Sequence, residues 1–253
     1  MNQYFYNSDI NGDIIDDEKE IQLRQNPDTY YIPPLILVVD LDNTLIFADE
    51  ERITSYVTNE LPCFFRPEMY SFFEYMKKNF GNKILQILWS TGMNSYVTKM
   101  VNLLKLTNFD FIFGRDESNY SYTHYGAYKS PQFLYKKSIP IKKWISDRMR
   151  KSNGNAPFFA IIDDKAKENT DSICPYNYTF CPEPFDLKSF KKLENGEIIA
   201  EVESLFRYAY ILIDDLILKK QPKVDIKSAI RPSFFLEEFK GGEYIFKPEP
   251  VIL

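Results

Sequence analysis

The sequence predicts the α/β class: a parallel sheet with helices on both faces, stacked as a three-layer α/β/α domain. Three observations predict it. First, Leu35–Val39, Leu85–Trp89 and Phe158–Ile162 are near-continuous apolar runs, the pattern of strands buried on both faces rather than strands with one wet face. Second, helix-period segments alternate with these runs, as a parallel sheet with crossover helices requires. Third, each run ends in polar groups: Asp40 and Asp42, Ser90, then Asp163 and Asp164. Buried parallel strands place their chemistry just past their carboxyl ends.

The elements follow in chain order. Residues 1–33 read as a mobile lead-in, rich in Asn and Asp, and Pro33-Pro34 fixes the entry to the first strand. The domain proper is expected over 34–220. Arg66–Asn79 carries Met69, Phe72, Phe73 and Met76 at helical spacing, and Asn94–Leu106 carries Tyr96, Val97, Met100, Leu103 and Leu104. Asn108–Phe113 is a short strand candidate. Gly114–Ala127 is polar and turn-rich. Ser130-Pro131 supplies an N-cap and N1 pair that opens a helix just after Lys129. Pro131–Asn155 is basic, with seven Lys and Arg against Asp147 alone. Glu201–Leu218 reads as a long helix, and 221–253 as an arm packed on the domain, with a hairpin around Gly241-Gly242.

Bulk properties bound the function. A chain of 253 residues with 44% hydrophobic and 26% charged content can bury one large core. A net charge of −5 gives no general attraction to nucleic acid or anionic membrane; the basic segment 136–151 reads first as a solvated helix face, or else as a surface for an acidic, multiply phosphorylated or nucleic-acid-bound substrate, and is the one place where nucleic acid itself would bind. Three cysteines, Cys63, Cys174 and Cys181, with no apolar leader point to a reducing, intracellular setting, cytoplasm or nucleus. One histidine leaves zinc short of ligands. Tyr208–Ile213 is apolar but is cut by Asp214-Asp215, short of the ~18–20 residues that span a bilayer.

The Asp40-x-Asp42 pair carries the chemistry. Two carboxylates at i and i+2 start on one side of the chain and repel unless a cation or proton intervenes. One suits a metal-bound nucleophile and the other a proton carrier. Ser90, with the neighbouring Thr91, and Lys129 can hold phosphoryl oxygens and offset their charge. Asp163 and Asp164 complete an acidic metal face. Mg²⁺ is the cation such oxygen ligands suit.

Asp-x-Asp, Ser or Thr, Lys and Asp-Asp in that order resemble the four motifs of haloacid-dehalogenase-type phosphatases. Arg66-Pro67 with Phe72-Phe73, then Gly114–Ser118, His124, Gly126, Tyr128 and Lys129, resemble the Fcp/Scp group, which acts on the C-terminal domain of RNA polymerase II. The resemblance spans about Leu35 to Phe190. Asn43 stands where that group carries Glu, Ser90 where it carries Thr, and Ser130 where it carries Asp. The long stretch from Lys129 to Asp163 leaves the lysine open among Lys129, Lys136 and Lys137. Which of Asp163 and Asp164 ligates metal directly is also open.

The resemblance implies an uncapped site, or one shaped by a small antiparallel insert in Gly114–Ala127. It implies catalytic Asp40, Asp42, Ser90 and Lys129, and substrate contacts from Thr44, Ser90, Thr91 and Lys129. Metal ligands would come from Asp40, Asp42 (its main-chain carbonyl), Asp163 and Asp164. The expected function is Mg²⁺-dependent hydrolysis of phosphoserine or phosphothreonine in a protein, through an aspartyl-phosphate. The protein substrate could be a basic or nucleic-acid-associated one. Two alternatives stand beside it. One is a phosphatase for nucleotides or nucleic-acid 3′ ends. The other is a scaffold of the same fold, as in the mitochondrial translocase subunit. A narrower similarity is to the baculovirus-type phosphatase of nucleocapsid assembly, which would place the protein in a host cell.

Overall fold

The computed structural model describes residues 32–48, 63–151, 156–194 and 198–218. The expected lead-in, the arm and its hairpin lie outside these, apart from Ile32 and Pro33.

Strands β1 (Leu35–Val39), β4 (Ile84–Trp89), β5 (Phe111–Phe113), β6 (Phe158–Ile162) and β7 (Tyr178–Phe180) form one sheet in the order β5-β4-β1-β6-β7. Every pairing in it is parallel. All five residues of β1 are fully buried, as a central strand covered on both faces demands. In register, Val39 lies beside Leu88 and Ile162. The three strand ends that carry polar groups therefore finish side by side. The backbone continues the ladder one residue further: Asp40 N–H donates to Ile162 O, Ser90 N–H to Phe113 O and Asp163 N–H to Phe180 O. The chain builds outward from β1 to β4 and β5, then returns to build β6 and β7 on its other side. That reversal is where open α/β sheets hold ligands.

The period-2 alternation of β1 splits the core. Leu35, Leu37 and Val39 face one layer, with Phe72, Phe73 and Met76 of α1 (Met69–Phe80), Val97 and Met100 of α2 (Asn94–Leu103), and Leu212 of α7 (Phe206–Ile213). Ile36 and Val38 face the other, with Trp89, Phe133, Leu134, Ile141 and Ile145. Each such side chain contributes roughly 1.5–3 kcal/mol by leaving water. This layer is built from α3 (Arg115–Tyr125), α4 (Pro131–Lys136) and α5 (Ile139–Lys151). Two antiparallel pairs stand outside the sheet: β2 (Ile46–Ala48) with β3 (Cys63–Phe65), and β8 (Phe190–Lys192) with β9 (Ile198–Ala200).

Two expectations are corrected. Gly114–Ala127 is helix α3 rather than an antiparallel insert. Glu117 at its third position accepts a hydrogen bond from Gly114 N–H at 2.9 Å, and Gly126 closes it in the left-handed region at φ 79°. These are start and stop signals that its low apolar content outweighed in the sequence. Glu201–Leu218 is not one helix: β9 ends at Ala200, α7 begins at Phe206, and Asp214–Leu218 continues as a π-helical turn. Among the described residues, no helix is long and apolar enough to cross a membrane.

Candidate active site

Lys129 is fully buried between two carboxylates. Its Nζ lies 2.5 Å from Asp40 Oδ1 and 2.7 Å from Asp163 Oδ2. Local sequence puts it there. Ser130 caps α4 by accepting from Gln132 N–H, with Pro131 as the first helical residue, and Lys129 N–H donates to Asn169 O at the end of the short helix α6 (Ala166–Asn169). Asp163 is held on both oxygens: Lys165 N–H donates to Oδ1 at 2.7 Å, and Asn169 Nδ2 donates to Oδ2 at 2.9 Å.

Oxygens of Asp40, Asp163 and Asp164 lie within 4.8 Å of one another. Two buried carboxylates thus share one ammonium, and the half-buried Asp164 beside them has Lys165 as its nearer cationic influence. Burial pushes the Asp40 carboxyl from 3.8 up to about 7; Lys129 pulls it down and Asp163 adds to the rise. Asp164 is likewise raised, by burial first and then by Asp163. Burial would lower Lys129, but Asp40 and Asp163 outweigh it and its net shift is upward. No described residue donates a side-chain hydrogen bond to Oδ2 of Asp40 or of Asp164, whereas both oxygens of Asp163 are bonded. Uncompensated negative charge with open carboxylate oxygens fits a hard cation.

Asp42 stands apart from this group of three. Tyr96 donates from its hydroxyl to Asp42 Oδ1 at 2.5 Å, and Ser90 Oγ donates to Oδ2 at 3.1 Å. Ser90 is itself buried and accepts from Gly92 N–H at 2.9 Å. Thr44 is fully buried behind Asp164: its Oγ1 accepts from Asp164 N–H at 3.0 Å and donates to Asp164 Oδ1 at 3.3 Å. Arg66 fixes Thr44 in turn. Its buried guanidinium donates to the carbonyls of Thr44, Glu203 and Glu183 at 2.6 to 2.8 Å. Above these groups opens a cleft of about 490 Å³, lined by Asp40, Asp42, Asn43, Thr91, Tyr96, Arg115 and Asp164 among others.

Residues 35–130 match a family described as NLI interacting factor-like phosphatase. Over this stretch the chain is similar to that family. The match takes in Asp40, Asp42, Ser90 and Lys129 and ends before Asp163. Two solved structures of the RNA polymerase II CTD phosphatase Fcp1 are similar to this chain. One is from fission yeast, bound to beryllium fluoride, with 18% identity, TM-score 0.35 and 64% of this chain covered. The other has 18% identity, TM-score 0.34 and the same 64% coverage. The chain spans 45% of the length of each. No curated protein sequence matches it.

Within residues 35–130, Asp40, Asp42 and Thr91 line the cleft, while Ser90, Thr44 and Lys129 sit beneath it. Lys136 and Lys137 are exposed and lie over the rings of Tyr125 and Tyr120. From sequence Tyr96 stands only on an apolar helix face, Arg115 only within the Gly114–Ser118 motif with no site role, and Lys165 and Asn169 carry no signal. Tyr96 was the findable one, because it falls six residues after Ser90 on a helix that starts at the strand end. Asn43 adopts φ 59° at the cleft, a conformation Asn tolerates better than Glu. His124 is exposed, stacks on Tyr120 and is not among the cleft residues.

Proposed function

We propose that this chain is a Mg²⁺-dependent phosphomonoester hydrolase that uses Asp40 as nucleophile and removes phosphate from serine or threonine in a protein segment. The observation that carries the reading is Lys129 wedged between Asp40 and Asp163 beneath a cleft in which two hydroxyls hold Asp42.

Asp40 attacks phosphorus, and the bond from phosphorus to the serine oxygen breaks. Asp42 gives its proton to that oxygen, which leaves as the alcohol. Asp42 then takes a proton from water, whose oxygen attacks the aspartyl-phosphate. The Asp40–phosphorus bond breaks, and phosphate and the free carboxylate return. Lys129 holds Asp40 in line and offsets charge that builds on the phosphoryl group. Asp40 and Asp164 are the carboxylates with oxygens to offer a metal, and Asp163 is the partner of the lysine. A bound Mg²⁺ would supply positive charge to the phosphoryl oxygens and relieve the repulsion among the carboxylates. Ser90 orients Asp42 and Thr44 orients Asp164, since neither hydroxyl is exposed to the cleft; Thr91 remains available to substrate.

The cleft favours a peptide over a nucleotide, because Tyr96 is its one aromatic wall among the described residues and base recognition rests on stacking surfaces. The test is turnover of phosphoserine peptides, nucleotides and 3′-phosphorylated DNA by the purified chain, with and without Mg²⁺. Mg²⁺-dependent turnover of the peptides is expected. Preference for a nucleotide or a 3′ phosphate would overturn the substrate, and no turnover of any of them would overturn the enzyme.

A further inference from the structure

The segment that forms α4 and α5 has a charge opposite to that of the rest of the chain, while α3 beside it carries Arg115 against Asp116 and Glu117. Residues 131–151 hold seven Lys and Arg against Asp147 alone, a net of +6. The other 232 residues hold 24 Lys and Arg against 35 Asp and Glu, a net of −11. Helix α5 explains only part of this. It buries Ile141 and Ile145 and turns Lys142 and Lys143 outward, as any amphipathic helix does. The single acid on the segment is already engaged, with Arg150 at 2.5 Å.

Aromatic rings lie between the cations. His124 stacks on Tyr120 with centroids 3.9 Å apart and planes 13° apart. Lys137 sits over Tyr120 at 4.6 Å, Lys136 over Tyr125 at 5.8 Å, and Arg148 over Trp144 at 5.5 Å. Tyr135 is 53% exposed on the same helix as Lys136. A ring holds a cation in place without neutralising it, so the positive field stays available to an incoming anion. Tyr120, Tyr125 and Trp144 are taken up by the core and by their cations, so the rings left open to bases are His124, exposed where it caps Tyr120, and Tyr135; cations with exposed flat rings beside them are what sequence-tolerant single-strand binding needs. An acidic peptide would use the charge but has no flat group for the rings.

We infer that the α3–α5 face binds single-stranded nucleic acid, independently of the cleft. The experiment is fluorescence anisotropy of a labelled 20-nucleotide oligothymidine titrated with the full chain, without Mg²⁺, at about 50 and 200 mM NaCl. Saturable binding is expected, weakening about 100-fold over that salt step if roughly five phosphates are neutralised. An abasic strand of equal charge should bind about 10-fold more weakly, for want of stacking. Lys136→Glu, Lys137→Glu, Lys142→Glu and Lys143→Glu together should weaken binding at least about 10-fold and leave turnover of an aryl phosphate unchanged. The pair Lys142→Glu with Lys143→Glu spares the ring-stacked lysines and should give an intermediate loss, which keeps the test valid if the fourfold variant fails to fold. No binding at the lower salt, or binding unchanged in the double variant, would overturn the inference. An oligoglutamate peptide or the abasic strand binding as tightly as oligothymidine would also overturn it, and would assign the face to an acidic partner.

Discussion

Tyr96 and Asp42 are joined by a 2.5 Å hydrogen bond from the tyrosine hydroxyl to Oδ1. The two come from different elements: Asp42 follows the central strand β1, and Tyr96 rises from the first turn of α2. Ser90 grips the other oxygen. Asp42 is thus clamped at both oxygens by residues that follow β4, the strand beside β1. Its carboxylate cannot swing without breaking one of these bonds.

This clamp makes the role of Asp42 testable through its leaving group. Tyr96→Phe keeps the ring and removes the donor. A serine alkoxide needs a well-placed proton, whereas an aryl oxide leaves without one. Turnover of a phosphoserine peptide should therefore fall about 10-fold, and turnover of p-nitrophenyl phosphate much less. Asp42→Asn should widen that gap further. Steady-state kcat on the two substrates checks both, and equal losses on both would remove Asp42 from the proton-carrying role.

Asp40→Asn separates chemistry from stability. Hydrolysis should fall by several orders of magnitude because the covalent step is lost. Metal-free stability should move the other way. The folded state holds the Asp40 proton up to about pH 7, against an ordinary value of 3.8. The folded state thus binds this proton more tightly than the unfolded chain. The contribution is fully present below the ordinary value and is lost as pH rises through 7. Asparagine has no such loss, so its advantage over the wild type should grow from pH 5 to pH 8, to a few kcal/mol in order of magnitude. Urea melts at the two pH values, in chelator, measure it.

The sheet and its polar strand ends were legible because buried parallel strands are continuous apolar runs. Leu35–Val39 and Phe158–Ile162 match their observed bounds. Helix α3 was not legible, since Arg115–Tyr125 has little apolar periodicity and is fixed by Glu117, Gly126 and the bond from Trp89 Nε1 to Ser118 Oγ at 3.0 Å. The first two are local caps and the third is a tertiary contact, and none of them leaves an apolar period. The site shows the same division. Asp40, Asp42 and the Asp163-Asp164 pair announce themselves at strand ends. Asn169 does not, because its role depends on which way one helix turn faces a neighbouring strand, and Tyr96 shows only through its place six residues after Ser90.

Thr44 ties the Asp164 carboxylate and backbone to the core. Thr44→Val keeps shape and removes both bonds to Asp164, leaving Asp164 N–H without that acceptor. A loss of about 1–3 kcal/mol in stability is expected. Asp164 would also lose its fixed direction, so the rise in melting temperature with Mg²⁺ should shrink relative to wild type. Thr44→Ser keeps the hydroxyl and should keep most of that rise. Calorimetry with and without Mg²⁺ distinguishes the two, and an equal Mg²⁺ shift in all three proteins would show that Thr44 does not position Asp164.

Lys129→Met gives the most direct check on which lysine serves the site. Methionine matches the lysine in length and leaves Asp40 and Asp163 facing each other without their ammonium. Breaking a buried pair by removing one partner costs about 3–5 kcal/mol. The cost should depend on pH in a definite sense. As pH falls, a proton replaces the lost cation on the carboxylates, so the variant should recover toward the wild type below neutrality and be weakest above pH 7. Lys136→Met and Lys137→Met act at exposed side chains resting on tyrosine rings, and each should change stability by less than about 1 kcal/mol at every pH. Chemical denaturation of the three variants at pH 6 and pH 8 reads the difference. A Lys129 variant as stable as the other two at pH 8 would mean that the buried triad does not form.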